Sequence, residues 1–440
     1  MSVNQILGAT TFNRFHFWML FWACFIITFD MYDLVIYGSV LPVLIKEWSM
    51  SPVQAGAIGS YGFLGMMVGA VVFGMLADRL GRQRVLVVSV VLFSGATVLC
   101  GFTSTALTFS VFRFLAGLGI GGILPTVIAI VTDYAPAKRA NSMVAIVMCF
   151  FSVGGILAAL IALNLMPSFG WQSVYRVGAL PLLLLPFMIR YLPDAPAVIL
   201  RRRGPEVLRS VLSRVTGRDV TASEVGLAGR EEKPTGAPVR ALFSDGRATG
   251  TLMIWIAFFM CLLLVNGLSV WLPQLMVQAG YALGAGLTFL IVLNVGAVVG
   301  TLFLGRLADR RGAKLVLVPM YAVAAVSLAL LRFGSSTATL LLLVAVTGAC
   351  AMGAQNLSYA FVSQYYPSPV RSTAIGLASA VGRIGAIVGP TFGGVLLTLG
   401  LPVQTNFLFF AVPGLAAALA FWFVPLARRV SVDAGVEAAR

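Results

Sequence analysis

Twelve runs of apolar residues, each long enough to cross a bilayer, constrain this chain more than any other feature of its sequence. A helix needs about 20 apolar residues to span the hydrocarbon core. Such runs fall at roughly 17–44, 54–77, 84–103, 106–132, 141–164, 173–192, 251–277, 284–307, 314–332, 337–364, 372–398 and 404–426. Lipid offers no partner to a bare backbone N–H or C=O, so each run must be a helix or a strand of a closed barrel. Their length and lack of alternation select helices, and the predicted fold is an all-α membrane protein of twelve transmembrane helices. Composition agrees: 59% of residues are hydrophobic and 10% charged, against about 45–50% and 25% in soluble domains.

The net charge of +15 raises the question of nucleic acid, and the placement of the bases answers it. They sit in short clusters between apolar runs: Arg79, Arg82 and Arg84 between spans 2 and 3, Lys138 and Arg139 between spans 4 and 5. Arg306, Arg310, Arg311 and Lys314 surround the turn between spans 8 and 9, Arg371 precedes span 11, and Arg428 and Arg429 follow span 12. The opposite loops hold little beyond Lys46 and Arg332. Basic loops mark the cytoplasmic side, so both termini are expected there, in a bacterial inner membrane. The partner these charges imply is a lipid bilayer and not nucleic acid. The stretch 193–250 is rich in Arg, Gly and Pro and reads as a cytoplasmic linker, with a short amphipathic helix expected near 204–216. It separates a first bundle (17–192) from a second (251–427), leaving a cytoplasmic N-terminus at 1–16 and a tail at 428–440.

A repeat relates the two bundles. Gly74-Met-Leu-Ala-Asp78-Arg79-Leu-Gly81-Arg82-Gln-Arg84 recurs as Gly305-Arg-Leu-Ala-Asp309-Arg310-Arg-Gly312-Ala-Lys314, an offset of 309 − 78 = 231 residues. Tyr134-Ala-Pro136-Ala-Lys-Arg139 is echoed by Tyr366-Pro-Ser-Pro369-Val-Arg371 at 371 − 139 = 232. Two signatures at nearly one offset indicate a duplicated six-helix unit, hence two pseudo-symmetric bundles. With these motifs the chain resembles the major facilitator superfamily over nearly its whole length. Asp30-Met-Tyr-Asp33, Arg113-Phe-Leu-Ala-Gly117-Leu-Gly119 and Gly382-Arg383-Ile-Gly385 are similar to the aromatic acid:proton symporter family within it. Met31 stands where that family has glycine. The resemblance implies proton-coupled uptake of benzoate, a hydroxybenzoate or a related acid, by a carrier expected to work as a monomer. It also implies a cytoplasmic gate built from Gly74, Asp78, Arg79, Gly81, Arg82 and Arg84, and more weakly from Gly305, Asp309, Arg310 and Gly312, where Ala313 replaces a base.

Ionisable groups inside the apolar runs are few, and each asks for a reason. Asp30 and Asp33 lie well within span 1, spaced to share a helix face. A charge there costs about 2.5–3.5 kcal/mol on insertion scales, so the pair needs a partner or a water-filled cavity, and Asp30 and Asp33, with Arg113, are the expected proton-coupling site. Arg113 is the expected partner: at about 1.5 Å rise per residue its height in span 4 matches that of Asp33 within a few Å. Arg383, near the middle of span 11, is a candidate for gripping a substrate carboxylate, since guanidinium binds one bidentately. Amides turn toward a bundle interior, which nominates Asn266, Gln274, Asn294, Gln355 and Asn356. Tyr359 joins them as a polar contact, and Tyr32, Tyr37, Trp271 and Phe361 are candidates for stacking on a ring.

Other function classes find little support. His16 is the single histidine, and Cys24, Cys100, Cys149, Cys261 and Cys350 are scattered singly through apolar runs, so neither a metal site nor a nucleophile–base pair is expected. No cofactor is expected beyond the proton as coupling ion. Other readings within the superfamily are transport of another organic anion, or drug or metabolite:proton antiport. Exporters of that kind carry a Gly-Pro-rich motif in span 5, where this chain reads Ser152-Val-Gly154-Gly155-Ile-Leu.

Overall fold

The computed structural model describes residues 3–137, 139–218, 220, 239–244, 246–333 and 336–425. Twelve helices in it are long and apolar enough to cross a membrane: Arg14–Glu47, Pro52–Ala77, Arg82–Cys100, Ala106–Tyr134, Ser142–Phe169 and Trp171–Tyr191 in the first half, then Ala248–Gln278, Leu283–Ala308, Ala313–Phe333, Thr337–Tyr365, Thr373–Thr398 and Val403–Phe423 in the second. They are spans 1–12, matching the predicted runs to within a few residues. Span 4 carries a break at Gly121–Gly122 and span 6 another at Gly178–Ala179. The chain is therefore a multi-pass membrane protein. The face holding the N-terminus, the linker and the arginine-rich turns is called the basic face below; the other is the outer face.

Glycines set the packing inside each half, and they do so twice. Where Gly65 and Gly69 of span 2 pass the carbonyls of Phe114 and Leu118 in span 4, no side chain would fit. Gly296 and Gly300 meet Ala345 and Ala349 in the same way, each 231 residues on (296 − 65 = 231). Gly154 lies on the Thr28 carbonyl and Gly385 on that of Phe259, again at that offset (385 − 154 = 231). Small residues let membrane helices approach closely, so the duplication is one of contacts as well as sequence. The second echo falls into the same register: Tyr134 and Tyr365 each close their helix, 365 − 134 = 231 apart. The offset of 232 thus holds only after the proline that follows.

The halves meet through spans 1 and 7, 2 and 11, and 5 and 8. Gly38 abuts the backbone of Ser269 and Val270, and Gly56 and Gly59 abut Pro390. The hydrogen bonds seen between described residues of the two halves both come from Ser60, to the Ile387 carbonyl at 2.5 Å and to Thr391 Oγ1 at 2.8 Å. These contacts lie toward the outer face. At the basic face, helices Pro196–Arg203 and Pro205–Thr216 follow span 6. The second is the amphipathic helix expected near 204–216; it buries Leu208, Leu212 and Val215 completely and is pinned to the first half by Asn13 Nδ2 donating to Val215 O at 2.6 Å.

Candidate functional site

Span 1 carries two aspartates one turn apart with opposite surroundings. Asp33 is saturated. Arg113 Nη1 donates to its Oδ2 and to its main-chain oxygen, both at 2.9 Å, and Thr97 Oγ1 donates to Oδ1 at 2.5 Å. The guanidinium also lies 5.5 Å from the Tyr37 ring centre, and Gly62 leaves room for it, since a Cβ there would stand 3.1 Å from Nη2. Asp33 and Arg113 are each 1% exposed. A buried ion pair holds only when its remaining hydrogen bonds are met, and here the carboxylate's are.

Asp30 is wholly buried, yet neither of its carboxylate oxygens has a hydrogen-bond partner. Across the interface, Arg383 of span 11 lies within electrostatic range of it. Among the described residues no ion pair or hydrogen bond is seen to reach Arg383, the two ion pairs being Arg113–Asp33 and Arg82–Asp133. Tyr359 also acts on Arg383 and stands edge-on to Phe258 with ring centres 5.0 Å apart. Gln355, half-buried, lies one turn from Tyr359 on the same helix. An orphaned acid in one half thus lies within electrostatic range of an unbonded base in the other.

Several expected substrate contacts belong elsewhere. Tyr32 and Tyr37 are fully buried within the first half, and their hydroxyls already donate to Val174 O and Ala55 O at 2.5 Å each. Asn294 is buried against Gly155 where spans 5 and 8 meet, its amide donating to Leu290 O at 2.9 Å. Gln274 lies roughly 24 Å along span 7 from Phe258, taking about 1.5 Å per residue, too far to share a small ligand. Asn266 bonds the carbonyl of Leu262 in its own helix at 2.8 Å, and Asn356 is exposed and reaches Thr301 Oγ1 at 3.2 Å. Sequence spacing cannot say which way each of these faces. Phe258 carried no sequence signal at all, sitting among similar apolar neighbours.

At the basic face the repeated turns have one backbone form, with φ of +94° at Gly81 and +89° at Gly312, a region that favours glycine. The side chains of Asp78, Arg79 and Asp309 lie outside the described residues. Arg82 bonds the Ala129 carbonyl at 2.9 Å and pairs with Asp133, while Arg84 and Arg310 are exposed. Gly74 and Gly305 pack against nothing: a Cβ on either would meet open space, so close approach does not explain them. Two acids escaped the sequence reading. Asp133 holds Arg82; Asp194 accepts from Gln83 N at 2.7 Å through its carboxylate and from Tyr134 Oη at 2.5 Å through its carbonyl. Both flank charged loops and read as solvated from sequence, although Asp133 directly precedes the repeated Tyr134-Ala-Pro136 motif.

Comparison with known proteins places the chain in a family. The chain is 40% identical to the benzoate transport protein of Acinetobacter baylyi, covering 96% of this chain and 92% of that one. It is 35% identical to the gentisate transporter of Corynebacterium glutamicum (90% and 84% covered) and 33% identical to the gallate transporter of Pseudomonas putida (92% and 90%). In fold it is similar to an inward-open structure of the xylose transporter XylE from E. coli, with a TM-score of 0.75 at 16% identity over 94% of this chain and 98% of that one. Residues 23–300 and 287–439 match the family described as the Major Facilitator Superfamily. With two glycine-seamed bundles facing each other across Asp30 and Arg383, this chain belongs to that superfamily.

Proposed function

We propose that this chain is a carrier, not an enzyme, taking up a monocyclic aromatic carboxylate together with a proton by alternating access. The observation that carries the reading is Asp30, buried with both oxygens unbonded opposite Arg383. A bare carboxylate in that setting is costly, and a bound proton relieves the cost. Arg383 is the complementary group: an unbonded guanidinium that grips a carboxylate bidentately. Tyr359 and Phe258 offer edges and faces to a ring beside it. The sequence relatives named for benzoate, gentisate and gallate transport support the same substrate class.

Asp33 and Arg113 take a different part in this scheme from the one their spacing with Asp30 suggests. The Asp33 carboxylate is fully partnered without a ligand, so the pair fixes span 1 on span 4. In the cycle, a proton from outside neutralises Asp30, the anion settles on Arg383, and the two halves rock about the site as in other pseudo-symmetric carriers. The inter-half contacts lie toward the outer face, which suits a carrier shut on that side and releasing toward the basic face. The basic face is then cytoplasmic, the membrane a bacterial inner membrane, and the working unit a monomer. Arg82 with Asp133 belongs to the cytoplasmic gate, to which the repeated motif also assigns Asp78.

Reconstitution tests this. Proteoliposomes with an imposed inward proton gradient should accumulate radiolabelled benzoate above its external concentration, and a protonophore should abolish the accumulation. Equilibration without accumulation would rule out coupling. Uptake of no aromatic acid would rule out the substrate class.

A further inference from the structure

We infer that the outer face carries a second, peripheral site for the aromatic anion, a capture site centred on Lys46 at the seam between the halves. The inference rests on the aromatic-acid reading above and extends it from the central slot proposed between Asp30 and Arg383 to the mouth of the pathway.

Two adjoining cavities of 370 and 510 Å³ lie at the outer end of span 1 and share Val43, Glu47 and Leu283. Their walls come from both halves: Trp171 and Met166 on one side, Tyr281 and Leu287 on the other. Both volumes fall within the range of about 300–1,000 Å³ typical of small-molecule sites. The lining is mainly apolar and includes an indole and a phenol ring, which suits the flat face of a benzoate-sized acid.

Charge identifies the occupant. Bases are depleted from the outer face of membrane proteins, so one retained there needs a reason other than topology. Of the outer-face bases, Arg176 lies 4.9 Å from the Phe102 ring centre and Arg332 5.8 Å from that of Phe333, each on the flank of its own half. Lys46 instead is exposed and lines the larger cavity. Its neighbour Glu47 would repel an anion, but the carboxylate is drawn toward the wall, where Trp171 Nε1 donates to Oε2 at 2.7 Å. That bond also fixes the indole. The result is a cation at the lip of the larger cavity beside the Tyr281 ring, and an anchored indole in the wall of the smaller one adjoining it, on the side from which the substrate arrives.

An aromatic carboxylate held there spans both halves only while the outer side is shut. When spans 1 and 7 part, the two walls separate and the anion is released into the opening cleft. The site therefore raises the local concentration of substrate at the moment the central slot becomes accessible, as charged funnels do for other ligands.

The test is uptake of radiolabelled benzoate by right-side-out proteoliposomes. At low ionic strength Lys46→Gln should raise KM about threefold with Vmax unchanged, Lys46→Arg should restore the wild-type KM, and Glu47→Gln, which keeps an acceptor for the indole, should lower KM. These differences should vanish in 0.5 M salt, where about 4 Å of screening length remains. Benzoate binding to the detergent-solubilised protein at the central site should be equal in wild type and Lys46→Gln, which excludes misfolding. A KM for Lys46→Gln equal to wild type at low salt overturns the capture site, as does a loss confined to Vmax. Wild-type protein that transports no aromatic acid at all overturns the reading beneath it, a result distinct from any difference between variants.

Discussion

The two halves share a skeleton and differ in their charges. Gly65, Gly69 and Gly154 do in the first bundle what Gly296, Gly300 and Gly385 do in the second, down to the carbonyl each one rests on. At the same offset, Asp30, Asp33 and Arg113 correspond to Cys261, Leu264 and Val344, while Arg383 corresponds to Ser152. Helix packing is thus duplicated and chemistry is not. The first half holds the acids and their internal base; the second holds a lone base with aromatic company. Backbone contacts through glycine leave no room for a side chain, whereas side chains facing the centre are free to diverge once packing is secured elsewhere.

The sharpest way to break this comparison is at Asp30. Asp30→Asn should abolish uphill benzoate accumulation while leaving folding intact, because no hydrogen bond is lost; proteoliposome uptake and a thermal melt report the two. Asp33→Asn should do the reverse. Removing one partner of a buried pair costs about 3–5 kcal/mol, so that variant should melt well below wild type. If the two variants behave alike, the division between a proton site and a structural pair is wrong. Arg383→Gln should weaken benzoate binding by about 1.5–3 kcal/mol, the worth of a charged hydrogen bond, with an unchanged melting temperature; calorimetric titration measures it. The smallest effect tests the skeleton itself. Gly65→Ala and Gly296→Ala should each destabilise by about 1–3 kcal/mol, as overpacking does, and by similar amounts; a large inequality would show that the halves are not packed alike.

Much of the architecture was legible because bilayer thickness and repetition act on long stretches of sequence. The ion pair of Asp33 with Arg113 was legible too, since helix rise fixes depth and depth limits partners. The contrast between Asp30 and Asp33 was not, for both occupy one face, and only the position of Thr97 and Arg113 separates them. Tyr32 and Tyr37 were misplaced for a related reason: a tyrosine in an apolar span needs a partner for its hydroxyl, and a backbone carbonyl meets that need as well as a ligand does. Asp133 and Asp194 were missed because a charged residue at a helix end looks solvated until the neighbouring turn is folded over it.

Ser60 has a consequence for speed. A carrier must part its bundles on every cycle, and whatever glues the shut side sets the height of that barrier. Here the hydrogen bonds seen across the seam hang on one hydroxyl, shared between Ile387 and Thr391, and other contacts across it are glycine packing, at Gly38, Gly56, Gly59 and Gly394 and at Gly155 against Asn294. A seam with so few hydrogen bonds costs little to part, which suits a carrier that has to open it on every cycle.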